Sequence, residues 1–181
     1  MDALENLLIE LDRKNLSPKE RDKIIYKIGG LNDSRAVDAL HKMLIAPNVS
    51  IKEIGAYAMA LGEAKANIAV PDIVKYLHMP EYEGARAELL VSLYDLDCAE
   101  YYLTFLEIMC SADFEASEIA VILAIDLIPQ IDMATRTEAL KILDNYTNMY
   151  TNVNSKDPNS DENHKLKIMK DVRMALNKIH E

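Results

Sequence analysis

Four histidines, two cysteines and a surplus of carboxylates are the residues of this chain that could do chemistry. His41, His78, His164 and His180 include no pair four residues apart, so no helix face offers the paired imidazoles of a metal hydrolase. Cys98 and Cys110 fall on one helix predicted over 98–110, about 18 Å apart along its axis, which is beyond disulfide reach. Both read as buried, inert thiols. Gly29, Gly30 and Gly84 lack the spacing of a phosphate-cradling loop. Glu100 and Glu107 stand two helical turns apart, about 10 Å in axial rise, which suits a solvated face better than a general acid–base pair. This inventory predicts no catalytic residue, no metal site and no cofactor.

The carboxylates say more by where they lie. The chain has 30 acids against 20 bases, a net charge of −10. Residues 1–30 carry six acids and six bases, and residues 31–79 five of each. Residues 80–150 carry 14 acids and three bases, and residues 151–181 five acids and six bases. The excess therefore belongs to 80–150, where only Arg86, Arg136 and Lys141 oppose it. Asp95, Asp97, Asp113, Glu115, Glu118 and Asp132 fall at or near predicted helix starts, where carboxylates satisfy free N–H groups and oppose the helix dipole. The remaining acids set up a local negative field, which steers a basic protein toward it and repels a phosphate backbone. Nucleic acid is excluded as a partner on this ground.

The elements that must position these residues are helices. Half the residues are apolar, 28% are charged, and only 5 Gly and 6 Pro interrupt 181 residues. Apolar periodicity predicts helices over 2–13, 18–29, 34–46, 50–61, 67–79, 83–94, 98–110, 114–128, 133–149 and 164–180. Ser17, Ser34, Asp113 and Asp132 are the expected N-caps, and Pro18, Pro47, Pro80 and Pro129 mark boundaries. Met1 to Lys14 has no basic leader before its apolar stretch, and Ile119 to Ile128 is about half the length of a membrane span. A cytoplasmic protein without a membrane partner is expected.

An internal repeat organises the helices. Ile28, Ala36, Val37, Leu40 and Leu44 recur 33 residues later as Leu61, Ala69, Val70, Ile73 and Leu77, with glycines in the predicted turn of both copies. At an offset of 32, Leu93, Tyr102 and Phe105 repeat Leu61, Val70 and Ile73, and a weaker fourth copy ends its first helix near Leu127. Each unit is a helix pair that cannot cover its own apolar face, so neighbours must stack. The expected organisation is a single domain over 1–181. It comprises an N-terminal cap helix in 1–17, repeats over 18–147, a mobile loop over 148–163 and a C-terminal cap helix in 164–181. Leu4, Leu7, Leu8 and Leu11 form the apolar stripe of the first cap; Leu166, Met169, Val172, Leu176 and Ile179 form that of the second.

The segment Leu61-Gly62-Glu63-Ala64-Lys65-Ala66-Asn67-Ile68-Ala69-Val70-Pro71-Asp72-Ile73 and the helix after it resemble the HEAT-like repeat of the phycobilisome-lyase type. The resemblance spans about residues 18–147. It implies an all-α, right-handed α-solenoid of about four helical hairpins between the two caps, with the second helix of each pair on the concave face. Some HEAT-like enzymes hold di-iron through repeated His-Glu pairs, a pattern this sequence lacks. On that face, helical wheels turn Asp72, Lys75, Arg35 and Lys42 outward, then Glu100, Thr104 and Glu107, then Glu138, Lys141 and Asn145. Tyr76 and Tyr101 flank the stripe and suit an interface. The expected partner-binding residues are thus Asp72, Tyr76, Glu100, Tyr101, Thr104, Glu107 and Glu138. The expected function is non-enzymatic binding of a basic protein, with an immunity or antitoxin protein masking a basic nuclease toxin as the concrete case. A bilin-lyase-like enzyme or accessory protein, and a self-associating structural adaptor, are the alternatives.

Overall fold

A computed structural model describes residues 2–47, 49–152 and 160–178. Among them the chain is all-helical, with no strand and with ten α-helices. It divides into two compact units, Met1–Asp97 and Cys98–Glu181. No helix of the described residues is long and apolar enough to cross a membrane.

The first unit holds α1 (Ala3–Leu11), α2 (Pro18–Gly29), α3 (Ser34–Leu44), α4 (Ile51–Glu63), α5 (Val70–Leu77) and α6 (Arg86–Val91). Reciprocal capping boxes start three of these helices: Asp2 with Glu5, Ser17 with Glu20 and Ser50 with Glu53. In each box the cap side chain takes one free N–H and the glutamate takes another. Ser17 caps as expected, but α3 is capped one residue earlier than its sequence suggests. Asp33, in extended conformation, accepts from the Arg35 N–H at 2.9 Å, and Ser34 is the first helical residue. A single 3-10 turn over Asn67–Ala69 leads into α5 and a six-residue 3-10 segment over Pro80–Ala85 into α6, so these two helices are shorter than their apolar periodicity implies.

Helices α2, α4 and α6 pack in succession, with α3 against α2 and α4, and α5 against α6. Close approach governs this row. A Cβ on Gly29 would sit 2.6 Å from the Ala60 carbonyl oxygen of α4, and one on Gly62 would sit 2.3 Å from the Ser92 carbonyl oxygen just after α6. These glycines lie within the last turns of α2 and α4, and what they supply is backbone-to-backbone contact. The left-handed turn positions after them are instead Asn32 (φ 51°) and Lys65 (φ 52°), which are 33 residues apart in sequence. The anchors Ile28, Leu61, Leu93, Ala36, Ala69, Leu40, Ile73, Leu44 and Leu77 are all buried; Val37 is half-buried where its counterpart Val70 is buried.

The second unit holds α7 (Tyr102–Ser111), α8 (Phe114–Asp126), α9 (Met133–Thr151) and α10 (Asp161–Lys178). Asp113 caps α8 and Asp132 caps α9, each bonding the N–H three residues on, at 3.0 and 2.7 Å. A 3-10 turn over Ala99–Tyr101 precedes α7, so Cys98 and Cys110 do not share one continuous α-helix. Both thiols are buried, and burial pushes that of Cys110 up to about 12. Helix α7 packs on α8 and α9, and α10 packs on all three through Ile168, Met169, Val172 and Leu176. The predicted loop over 148–163 is helical at both ends, as part of α9 to Thr151 and of α10 from Asp161. Residues 153–159 lie outside the described residues, as does Ile179 of the predicted C-terminal stripe.

Candidate functional site

In the first unit, α5 positions Asp72 and Tyr76. Its apolar face, Val70, Ile73, Val74 and Leu77, is buried, which turns Lys75 to solvent and leaves Asp72 and Tyr76 at the margin. Asp72 Oδ2 lies 2.8 Å from His41 Nε2 on α3. The Tyr76 hydroxyl donates to the Leu44 carbonyl oxygen at 2.9 Å, and its ring meets Tyr82 edge-on with centroids 4.9 Å apart. Burial foremost, with the neighbouring Tyr82 and Asp72 adding to it, raises the Tyr76 phenol above its ordinary pKa. Tyr82 repeats the device, donating to the Val49 carbonyl oxygen at 3.1 Å. Both predicted binding residues of this unit are therefore engaged in tying one stretch of the unit to another.

In the second unit, the 3-10 turn and α7 position Glu100, Tyr101, Thr104 and Glu107. Tyr102, Phe105, Leu106 and Met109 are buried, which sets the roll of the helix. Glu100 and Glu107 are exposed, and Tyr101 and Thr104 are half-buried. Neither Glu100 nor Glu107 forms an ion pair among the described residues. Glu138 on α9 is exposed as well, and it is held by Lys141 Nζ at 2.8 Å. Asn145, also turned outward by the wheel, is exposed.

The structure alters how the acidic block is balanced. Arg136 is buried and does not face the surface acids; its Nη1 donates to the Leu176 carbonyl oxygen at 3.2 Å. Beside it the Tyr102 hydroxyl is buried, and burial raises its pKa, opposed by the charge of Arg136. Arg86 pairs with Glu83 and also donates to the Leu77 carbonyl oxygen. Further partners for the block come from α10. His164 Nε2 lies 2.7 Å from Glu118 Oε1, and Arg173 Nη2 lies 2.6 Å from Asp144 Oδ1. Lys165, itself buried, bonds Asp161 at 2.9 Å and sits over the Tyr150 ring. The sequence signal for this was the return of basic residues after position 160, but which acid each would meet depends on folding. Asp95 and Asp97 do not cap α7, whose leading turn has no side-chain cap.

No three or more His, Cys, Asp or Glu side chains converge to hold a metal ion among the described residues. Comparison with protein-family models and with curated proteins finds no match to this chain.

Proposed function

We propose that this chain is a non-enzymatic, cytoplasmic protein-binding module that docks a basic protein partner through carboxylates of the 80–150 block. The observation that carries the reading is the state of Glu100 and Glu107. Among the described residues of the second unit, Asp113 and Asp132 cap helices, Asp144, Asp161 and Glu138 meet cations, and Glu118 lies against His164, whereas Glu115, Asp126 and Asp171 are exposed without an ion pair. Glu100 and Glu107 are exposed and have no such ion pair among the described residues. An exposed carboxylate contributes little to folding and much to the encounter with a partner of opposite charge.

The scaffold for this is a HEAT-like, right-handed α-solenoid of about four hairpins between capping helices. Supporting it are the recurrences near 33 residues in the first unit: Gly29 with Gly62, Asn32 with Lys65, and the Tyr76–Leu44 and Tyr82–Val49 bonds. Neutralising a basic nuclease toxin, as an immunity protein does, is the form of binding that this charge pattern suits.

Pull-downs with the wild type and with Glu100→Lys/Glu107→Lys, at low and moderate salt, test the proposal. Basic proteins should be retained by the wild type, released by salt and lost in the variant, whose thermal midpoint should stay nearly unchanged. Retention of acidic proteins alone, indifferent to salt, or equal retention by both chains would end this reading.

A further inference from the structure

The face that α2, α4 and α6 make in Met1–Asp97 holds two hollows that share Tyr26. The larger, about 360 Å³, is lined by Met59, Glu63, Tyr94 and Asp95 as well; the smaller, about 190 Å³, by Asp22 and Glu88. Glycine keeps the smaller one open: a Cβ on Gly84 would find nothing nearer than Ile51 Cγ2 at 3.9 Å, whereas one on Gly55 would press the Glu88 side chain at 3.2 Å. Tyr26 and Tyr94 are 39% and 40% exposed, and the apolar side chains of Ile51, Met59 and Val91 share the lining with them.

Four carboxylates, Asp22, Glu63, Glu88 and Asp95, stand around these rings, and none forms an ion pair among the described residues. Lys52, at the rim of the smaller hollow, is the cation among the lining residues. Partial burial raises the Tyr26 phenol above its ordinary pKa, and Asp22, Glu88 and Glu63 raise it further, so all three carboxylates act on that ring. A flat aromatic face ringed by anions repels a carboxylate or phosphate. It attracts a cation, which gains from the ring quadrupole and from the carboxylates together.

We infer that this groove is a binding site for a cationic side chain of a basic polypeptide, with arginine preferred over lysine. A guanidinium is planar, so it can lie on a tyrosine ring while donating in its own plane to Glu63 or Glu88; an ammonium offers only a compact charge. The inference goes beyond the reading carried by Glu100 and Glu107: its residues lie in Met1–Asp97 and include neither, although Glu88 and Asp95 belong to the 80–150 block.

Binding of a dye-labelled hexa-arginine peptide to the full chain at low salt tests it, with hexa-lysine as comparison. Two exposed carboxylates at about 0.5–1 kcal/mol each should make Glu63→Gln/Glu88→Gln weaken hexa-arginine binding about ten-fold. Removing the ring in Tyr26→Leu should weaken it about three- to ten-fold, with hexa-lysine losing less. Asp38→Asn/Asp171→Asn, at exposed acids outside both sites, should change it less than about two-fold, and circular dichroism should show equal thermal midpoints for all variants. Absence of hexa-arginine binding to the wild type would overturn the inference. So would an equal loss from Asp38→Asn/Asp171→Asn, which reports unspecific attraction, or no loss from Tyr26→Leu. A loss from Glu100→Gln/Glu107→Gln alone would overturn it while leaving the acidic-block reading standing.

Discussion

Tyr76 was read from the sequence as an interface residue because its ring sits beside the outward stripe of α5. Its hydroxyl is bonded to the Leu44 carbonyl oxygen, 32 residues away. Nothing local announces such a bond, since the acceptor is a backbone atom of another helix. Tyr76→Phe should therefore lower stability by about 0.5–1.5 kcal/mol in urea unfolding, leaving that carbonyl short of a partner. Cys110 was legible as buried and inert, and burial pushes its thiol up to about 12. Native protein at pH 8 should leave Cys110 unalkylated by iodoacetamide, with mass spectrometry showing full labelling only after unfolding. Asp132 carries a pH prediction. Its bond from the Thr135 N–H lowers its pKa below the ordinary 3.8, so the cap's contribution is fully present above that value. The contribution is lost as pH falls through the lowered one. Asp132→Ala should lower the thermal midpoint at pH 7 and much less at pH 2.

At the scale of elements, nearly every helix was visible, because apolar periodicity and side-chain caps are local. The repeat glycines are visible too, and Gly30 does stand in the turn after α2. Gly29 and Gly62, by contrast, lie inside helix ends and let α2 meet α4, and α4 meet the chain after α6, backbone to backbone. Spacing could not tell the two uses apart, because both put glycine near a helix terminus. Gly62→Ala should cost about 1–3 kcal/mol in stability, although alanine is the better helix former, since the helices must separate to admit the methyl group. Calorimetry showing a gain in stability would mean that the close approach is relaxed in solution. Ile73, fully buried on α5, should cost about 2–5 kcal/mol when cut to alanine.

At the scale of the whole molecule, a net charge of −10 and a pI near 4.9 make any association with a basic partner salt-sensitive. The affinity of such a complex should fall between low and physiological ionic strength, mainly through a slower association rate, which stopped-flow mixing would measure. Composition, periodicity and charge by position depend on the order of residues alone, so the sequence by itself determined the all-helical fold, most helix bounds, the buried anchors and the acidic block. Tertiary structure decided which charges remain available. It buried Arg136, spent Asp144 and Asp161 on cations of α10, set Glu118 against His164 and Asp72 against His41, and left Glu100 and Glu107 exposed. It also brought Tyr26 of α2 and Tyr94, in the turn after α6, to one groove although they are far apart in sequence. The physical reason is range: a helix is fixed by neighbours within about four residues, whereas an ion pair or a hollow is fixed by whichever distant side chains the packed core sets side by side.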